Sequence, residues 1–210
     1  MKRSLLPALL LLLATNAHAA VLRVVIDDVI HPISDEFVGR ALDEAARTKA
    51  EAVVIELRTP GGLETSMRGI VEKIIQSPVP VIVWVGPSGS RAASAGFFIL
   101  QAADVAAMAP GTNTGAAHPV VFGEKLDDVM KMKMQNDAAA FMRSIAQRRG
   151  RNVAAAESGV REAKSFTEDE ALAKKLIDVV APDVTNLLRW AGGKTVKRFD
   201  GTKSMRHVAD

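Results

Sequence analysis

Short β-branched apolar runs alternate with amphipathic stretches along most of the chain. Residues 21–26 (VLRVVI), 52–57 (AVVIEL) and 81–85 (VIVWV) read as strands, as do 104–108 (DVAAM) and 176–181 (LIDVVA). Between them, apolar positions recur at helical spacing. One helix follows Ser34 as its cap, with Phe37, Ala41, Leu42 and Ala45 on its apolar face. Another covers 63–76, with Leu63, Met67, Ile70, Val71 and Ile74 inward. A third carries Phe97, Phe98, Ile99 and Leu100, and a long one spans 125–149 with a stripe of Leu126, Met130, Met134, Ala138, Phe141 and Ile145. Thr167 and Glu170 form a capping box before 171–175, and 184–190 is a short amphipathic helix. This order predicts an α/β fold: a mainly parallel sheet with helical crossovers.

In such a sheet, ligand-binding loops collect at the carboxyl ends of the strands. Three glycine-bearing turns fall there, at 59–62, 86–94 and 110–115. The second holds Ser94 among small residues (Ala92, Ala93, Ala95, Gly96) where a turn enters a helix. Backbone approaches closely at such a turn, and a helix start offers free N–H groups to a developing oxyanion. Ser94 is therefore a candidate nucleophile; alternatively the stretch is a tight packing contact. Ser88 and Ser90 read as turn hydroxyls. Gly86 and Gly89 suggest that the edge of the third strand accepts an extended peptide by strand addition.

The N-terminus modifies this picture. Lys2 and Arg3 precede an apolar run at 5–14, then Ala17-His18-Ala19. That is a secretory signal peptide at 1–19, cleaved near Ala19, too short for a stable membrane span. The expected organisation is thus a signal peptide, a catalytic domain at 20–190, and a basic, weakly structured tail at 191–210. The chain is expected to be exported, periplasmic or membrane-associated on the outer side. A net charge of +3 and few aromatics argue against a nucleic-acid partner. With no cysteine there is no disulfide and no thiolate nucleophile, and no His/Asp/Glu set has metal-ligand spacing. No metal and no cofactor are expected.

The motifs Thr59-Pro60-Gly61-Gly62, Ala92-Ala93-Ser94-Ala95-Gly96, 108–112 (MAPGT) and 115–119 (GAAHP) occur in this order, followed by Lys133-Met134-Gln135-Asn136 and Gly150-Arg151-Asn152. Together they resemble the N-terminal protease domain of NfeD-type membrane-associated serine proteases. These are relatives of the Clp protease proteolytic subunit and signal peptide peptidase A, within the crotonase-like (ClpP-type) fold. The resemblance implies a serine endopeptidase with a Ser94–Lys133 dyad and oxyanion donors at the Gly62 and Ala95 N–H groups, with Gly61 shaping the turn. It also implies a peptide or membrane-protein substrate, stomatin-like in this family, and a homo-oligomer. Longer family members continue into transmembrane helices and a small β-barrel domain.

Helical periodicity alone does not choose Lys133 over Lys131. A lysine base must be neutral, and Asp137, four residues on, opposes that. His118 is the alternative base, as in the Clp subunit, because a histidine needs no large shift to work near neutral pH. Two other readings keep the fold: a crotonase-like acyl-thioester enzyme, which an exported address disfavours, and a non-catalytic peptide-binding module.

Overall fold

The computed structural model describes residues 20–120, 127–199 and 201–204. The signal peptide, the start of the long helix at 125–126 and residues 205–210 lie outside them. The main sheet contains β1 (Val21–Asp27), β2 (Ala52–Arg58), β3 (Val81–Val85), β5 (Val105–Met108) and β8 (Val179–Val180), in the order β1-β2-β3-β5-β8. Every ladder in it is parallel. A second, small sheet of three-residue strands, β4 (Arg91–Ala93), β6 (Asn113–Gly115) and β7 (Ser165–Thr167), stands above its carboxyl edge.

Both faces of the main sheet are covered, which is why β2 and β3 are buried almost throughout rather than alternately. Side chains still alternate in direction. Val53, Ile55, Leu57, Val81, Val83 and Val85 face the larger core, under α1 (Pro32–Thr48), α2 (Glu64–Gln76), α3 (Ala95–Ala102), α4 (Asp128–Arg149) and α5 (Val153–Arg161). Val54, Ile82, Trp84, Val105 and Ala107 face a smaller one with Leu187 and Ala191 of α7 (Val184–Ala191). The capping box at Thr167 opens α6 (Glu168–Ala173) as expected.

Four expectations need correction. First, α1 is capped by His31, not Ser34. His31 Nδ1 accepts from Ile33 N–H at 3.2 Å, and Ser34 Oγ, at the third helical position, accepts from His31 N–H at 2.8 Å. The buried face is then Ser34, Val38, Leu42 and Ala45, and Phe37 is exposed. Second, the apolar stripe of α4 is buried only in its C-terminal half, at Ala138, Ala139, Met142, Ile145 and Ala146; Val129, Met130 and Met132 are exposed. Third, β3 has no free edge. Its ladder is filled by β2 on one side and β5 on the other, so a peptide cannot add there.

Fourth, the segment after 190 carries regular structure. β9 (Thr195–Arg198) and β10 (Gly201–Ser204) form an antiparallel hairpin. Val196 and Arg198 are buried, and the Arg198 guanidinium meets Asp104 at 2.8 Å. A basic composition read as a weakly structured tail because the partner of Arg198 lies far away in sequence.

Candidate active site

Ser94 is fixed by the small sheet. Thr59, just past β2, bridges to Ala92 of β4: its N–H donates to Arg91 O at 2.8 Å, and its carbonyl accepts from Ala93 N–H at 3.1 Å. β4 pairs with β6 on its other side, and the Thr114 hydroxyl donates to Ala92 O at 2.7 Å. Ser94 N–H then donates to Gly115 O at 2.8 Å. Held this way, the chain turns sharply into α3, and Ser94 takes φ 53°, ψ −114°. A side chain in that region costs about 1–3 kcal/mol, which the surrounding hydrogen bonds must offset. The serine hydroxyl does not cap α3.

The facing loop is equally constrained. Thr59 Oγ1 accepts from Gly61 N–H at 3.1 Å and donates to Gly61 O at 3.0 Å, closing the turn on itself. Ile30 N–H donates to Gly61 O, and Leu63 N–H donates to Ile30 O, each at 2.8 Å. Only glycine fits here. A Cβ on Gly61 would lie 2.8 Å from the Ser94 Cβ, and one on Gly62 would lie 2.1 Å from Ile30 O. Successive N–H groups of an extended segment alternate in direction. With Gly61 O and Leu63 N–H turned to Ile30, Gly62 N–H faces away from it. Among the described residues, neither Gly62 N–H nor Ala95 N–H is taken by a backbone acceptor.

Ser94, Gly61, Gly62 and Ala95 line one cavity of about 760 Å³, together with His118. Its walls are mostly apolar: Ile30, Leu63, Met67, Phe98, Ala117, Met134 and Ala138. A hydroxyl beside two unused N–H donors in an apolar cavity suits acyl transfer through a tetrahedral oxyanion.

Of the remaining predicted site residues, His118 lines the cavity and the others fall elsewhere. Gly86 lies against the Trp84 ring, and Gly89 lines a separate depression beside Arg58 and Arg91, with its N–H donated to Gly111 O at 3.0 Å. Lys133 is exposed on the N-terminal half of α4; its neighbour Met134, not Lys133 itself, lines the cavity. His118 Nδ1 lies 3.3 Å from Val160 O, so the tautomer with hydrogen on Nδ1 donates there and leaves Nε2 basic. Asp104 cannot orient His118: it is at the opposite edge of the sheet, where it accepts from the Val81 N–H at the start of β3. Asp127 caps α4 by accepting from Met130 N–H at 2.7 Å.

The sequence reading missed His31 and Arg68, which also line the cavity. Arg68 binds Glu64 on its own helix at 2.8 Å, pairs with Asp137 of α4, and stacks over Phe141 at 4.3 Å. The Glu64–Arg68 spacing of four residues was a readable signal for a fixed guanidinium. Among the described residues, no group of three His, Cys, Asp or Glu is placed to hold a metal, and no helix is long and apolar enough to cross a membrane.

The family model for the NfeD1b N-terminal domain matches residues 20–199. The membrane-bound protease PH1510 of Pyrococcus horikoshii is 40% identical over 165 residues, covering 78% of this chain; the chain spans 37% of that protein's length. Two structures of the 1510-N membrane-bound stomatin-specific protease superpose closely. A serine-to-alanine variant gives a TM-score of 0.83 at 35% identity, covering 90% of this chain and 94% of that one. A lysine-to-alanine variant in complex with a substrate peptide gives 0.84 at 34% identity, covering 90% and 89%. ClpP1 from Listeria monocytogenes shares the fold, with a TM-score of 0.64 at 17% identity over 79% of this chain and 94% of that one. The architecture is therefore the ClpP-type fold, and the chain belongs to the NfeD1b family, whose N-terminal domain it contains.

Proposed function

We propose that residues 20–199 form an exported serine endopeptidase that cleaves an apolar segment of a membrane protein, stomatin-like by analogy with the relative. The observation that carries this is the Ser94 turn: a strained serine at a helix start, in an apolar cavity, beside two N–H groups with no backbone acceptor among the described residues. The known protease activity of the 1510-N domain, and its serine and lysine variants, support the same reading.

In this mechanism Ser94 Oγ attacks the scissile carbonyl carbon as its proton passes to the base. The oxyanion takes hydrogen bonds from Gly62 and Ala95 N–H. The protonated base then gives its proton to the leaving amine, and an acyl-enzyme remains. Water, deprotonated by the same base, attacks the ester and restores the serine. The base is Lys133. Its exposure in the unliganded chain means that it is desolvated by what covers it, and an apolar substrate lying along Val129, Met130 and Met132 does this.

His118 is the second reading, favoured by its place on the cavity wall. Lys133→Ala and His118→Ala, assayed on an apolar-rich peptide, separate the two. Loss of about 10²–10⁴-fold is expected for Lys133→Ala, and a change within about tenfold for His118→Ala. The reverse pattern moves the base to His118.

A further inference from the structure

We infer that Arg68 is a positioning residue for Lys133: it holds the Asp137 carboxylate away from the lysine amine. This rests on Lys133 being the base. On an α-helix, the side chains within reach of Lys133 are those three and four residues away, Val129, Met130, Asn136 and Asp137. Asp137 is the acid among them. Left to itself, it would form a lysine–aspartate pair across one turn and keep the amine charged, which removes the base.

Asp137 is instead paired with Arg68, which reaches across from α2. Arg68 is well placed to keep it. Its Nε is anchored to Glu64 Oε1 at 2.8 Å, and its guanidinium lies 4.3 Å from the Phe141 ring centroid. An arginine fork held by a ring and a carboxylate loses little further freedom on taking a second carboxylate. Arg68 thus draws the Asp137 carboxylate across to α2 and away from the lysine amine.

The other charged groups on the elements packed here are already committed to partners. Asp128 pairs with Lys131 on α4 at 3.0 Å. On α5, Glu157 binds Arg143 and Arg161, each at 2.6 Å, and Arg161 also donates to Asn136 Oδ1 at 2.9 Å. On α2, Glu64 is held by Arg68. His31 and His118 line the cavity from the loops. Removing Arg68 therefore releases two carboxylates, Glu64 on α2 and Asp137 on α4, and of these Asp137 is the one within helical reach of the Lys133 amine.

The test is the pH dependence of kcat, measured at saturating concentrations of a fluorogenic apolar-rich peptide on the 210-residue chain, because kcat reads the substrate complex in which the lysine is covered. Activity should rise with pH through the titration of the base. In Arg68→Gln the rising limb should move up by about one pH unit, so that activity below it falls about tenfold. Arg68→Gln/Asp137→Asn should return the limb to the parent position, and Asp137→Asn alone should leave it there or lower it. Arg68→Lys, a milder change should glutamine impair folding, keeps a cation for Asp137 and should stay within a few tenths of a unit. An unmoved limb in Arg68→Gln overturns the inference. So does a shift that Asp137→Asn fails to reverse, because Arg68 would then act on substrate or fold directly. Full activity in Lys133→Ala removes the base assignment and this inference with it; loss there, with an unmoved limb in Arg68→Gln, removes this inference alone.

Discussion

Ser94→Gly is expected to abolish peptide cleavage, by about 10⁶-fold, while raising the melting temperature. The two effects share one cause. Ser94 has φ 53°, ψ −114°, a conformation that glycine adopts freely and a side chain does not. The penalty at such a residue is about 1–3 kcal/mol. Glycine removes it but loosens the unfolded chain, at about 0.4–1 kcal/mol. The balance is about 1 kcal/mol in favour of the variant, or roughly 2–4 °C for a chain of this size. Ser94→Ala should be as inactive, yet should melt with the parent because it keeps the strain. Calorimetry on the three proteins, beside a cleavage assay, reads both quantities. A glycine variant that melts several degrees below the parent would show that the serine hydroxyl stabilises the turn and that strain is not its main feature. Residual cleavage at the parent rate would take the nucleophile away from Ser94.

The Ser94 turn was legible because its signals are local. A β-branched run ends, small residues follow, and a helical pattern begins. The Gly61-Gly62 turn was legible for the same reason. The structure adds what holds them together: β4 and β6, three residues each and too short to show any periodicity, pair with each other, and β4 is bonded to Thr59 from a distant part of the sequence. The helix at Val153–Arg161 went unread, although Asn152 caps it and Ala156, Gly159 and Val160 recur at helical spacing on its buried face. Lys133 marks the harder limit. Sequence places it at the edge of a helix stripe, but whether that edge is wet or dry depends on what lies opposite. Here the N-terminal half of α4 faces solvent with Val129, Met130 and Met132, so periodicity overstated its burial. The Arg68–Asp137 pair was invisible for a similar reason, since its members are 69 residues apart.

The same long-range character makes Asp104→Ala a strongly destabilising change. The Asp104 side chain is 1% exposed and sits between two arginines nearly as buried, Arg149 at 2.5 Å and Arg198 at 2.8 Å. It also accepts from Val81 N–H at 2.8 Å. Burial pushes the Arg149 guanidinium below the ordinary arginine value; Asp104 partly offsets this, while Arg151 and Arg198 add repulsion. The cluster therefore carries more positive than negative charge, and Arg149 Nη2 and Arg198 Nε already lack a hydrogen-bond partner among the described residues. Removing the aspartate strands two cations and an N–H in a site that water does not reach. Breaking a buried pair in this way costs about 3–5 kcal/mol, or roughly 6–20 °C in melting temperature. Arg198→Met makes the opposite change. It removes one of the competing cations, leaves Asp104 with Arg149, and frees the hairpin of β9 and β10 from its charged anchor. It should cost less than half as much as Asp104→Ala. Added salt should narrow the gap little, because the charges are screened poorly at this depth. Equal losses in the two variants, or a gap that closes in high salt, would mean that the cluster is solvated and that the aspartate does not hold it together.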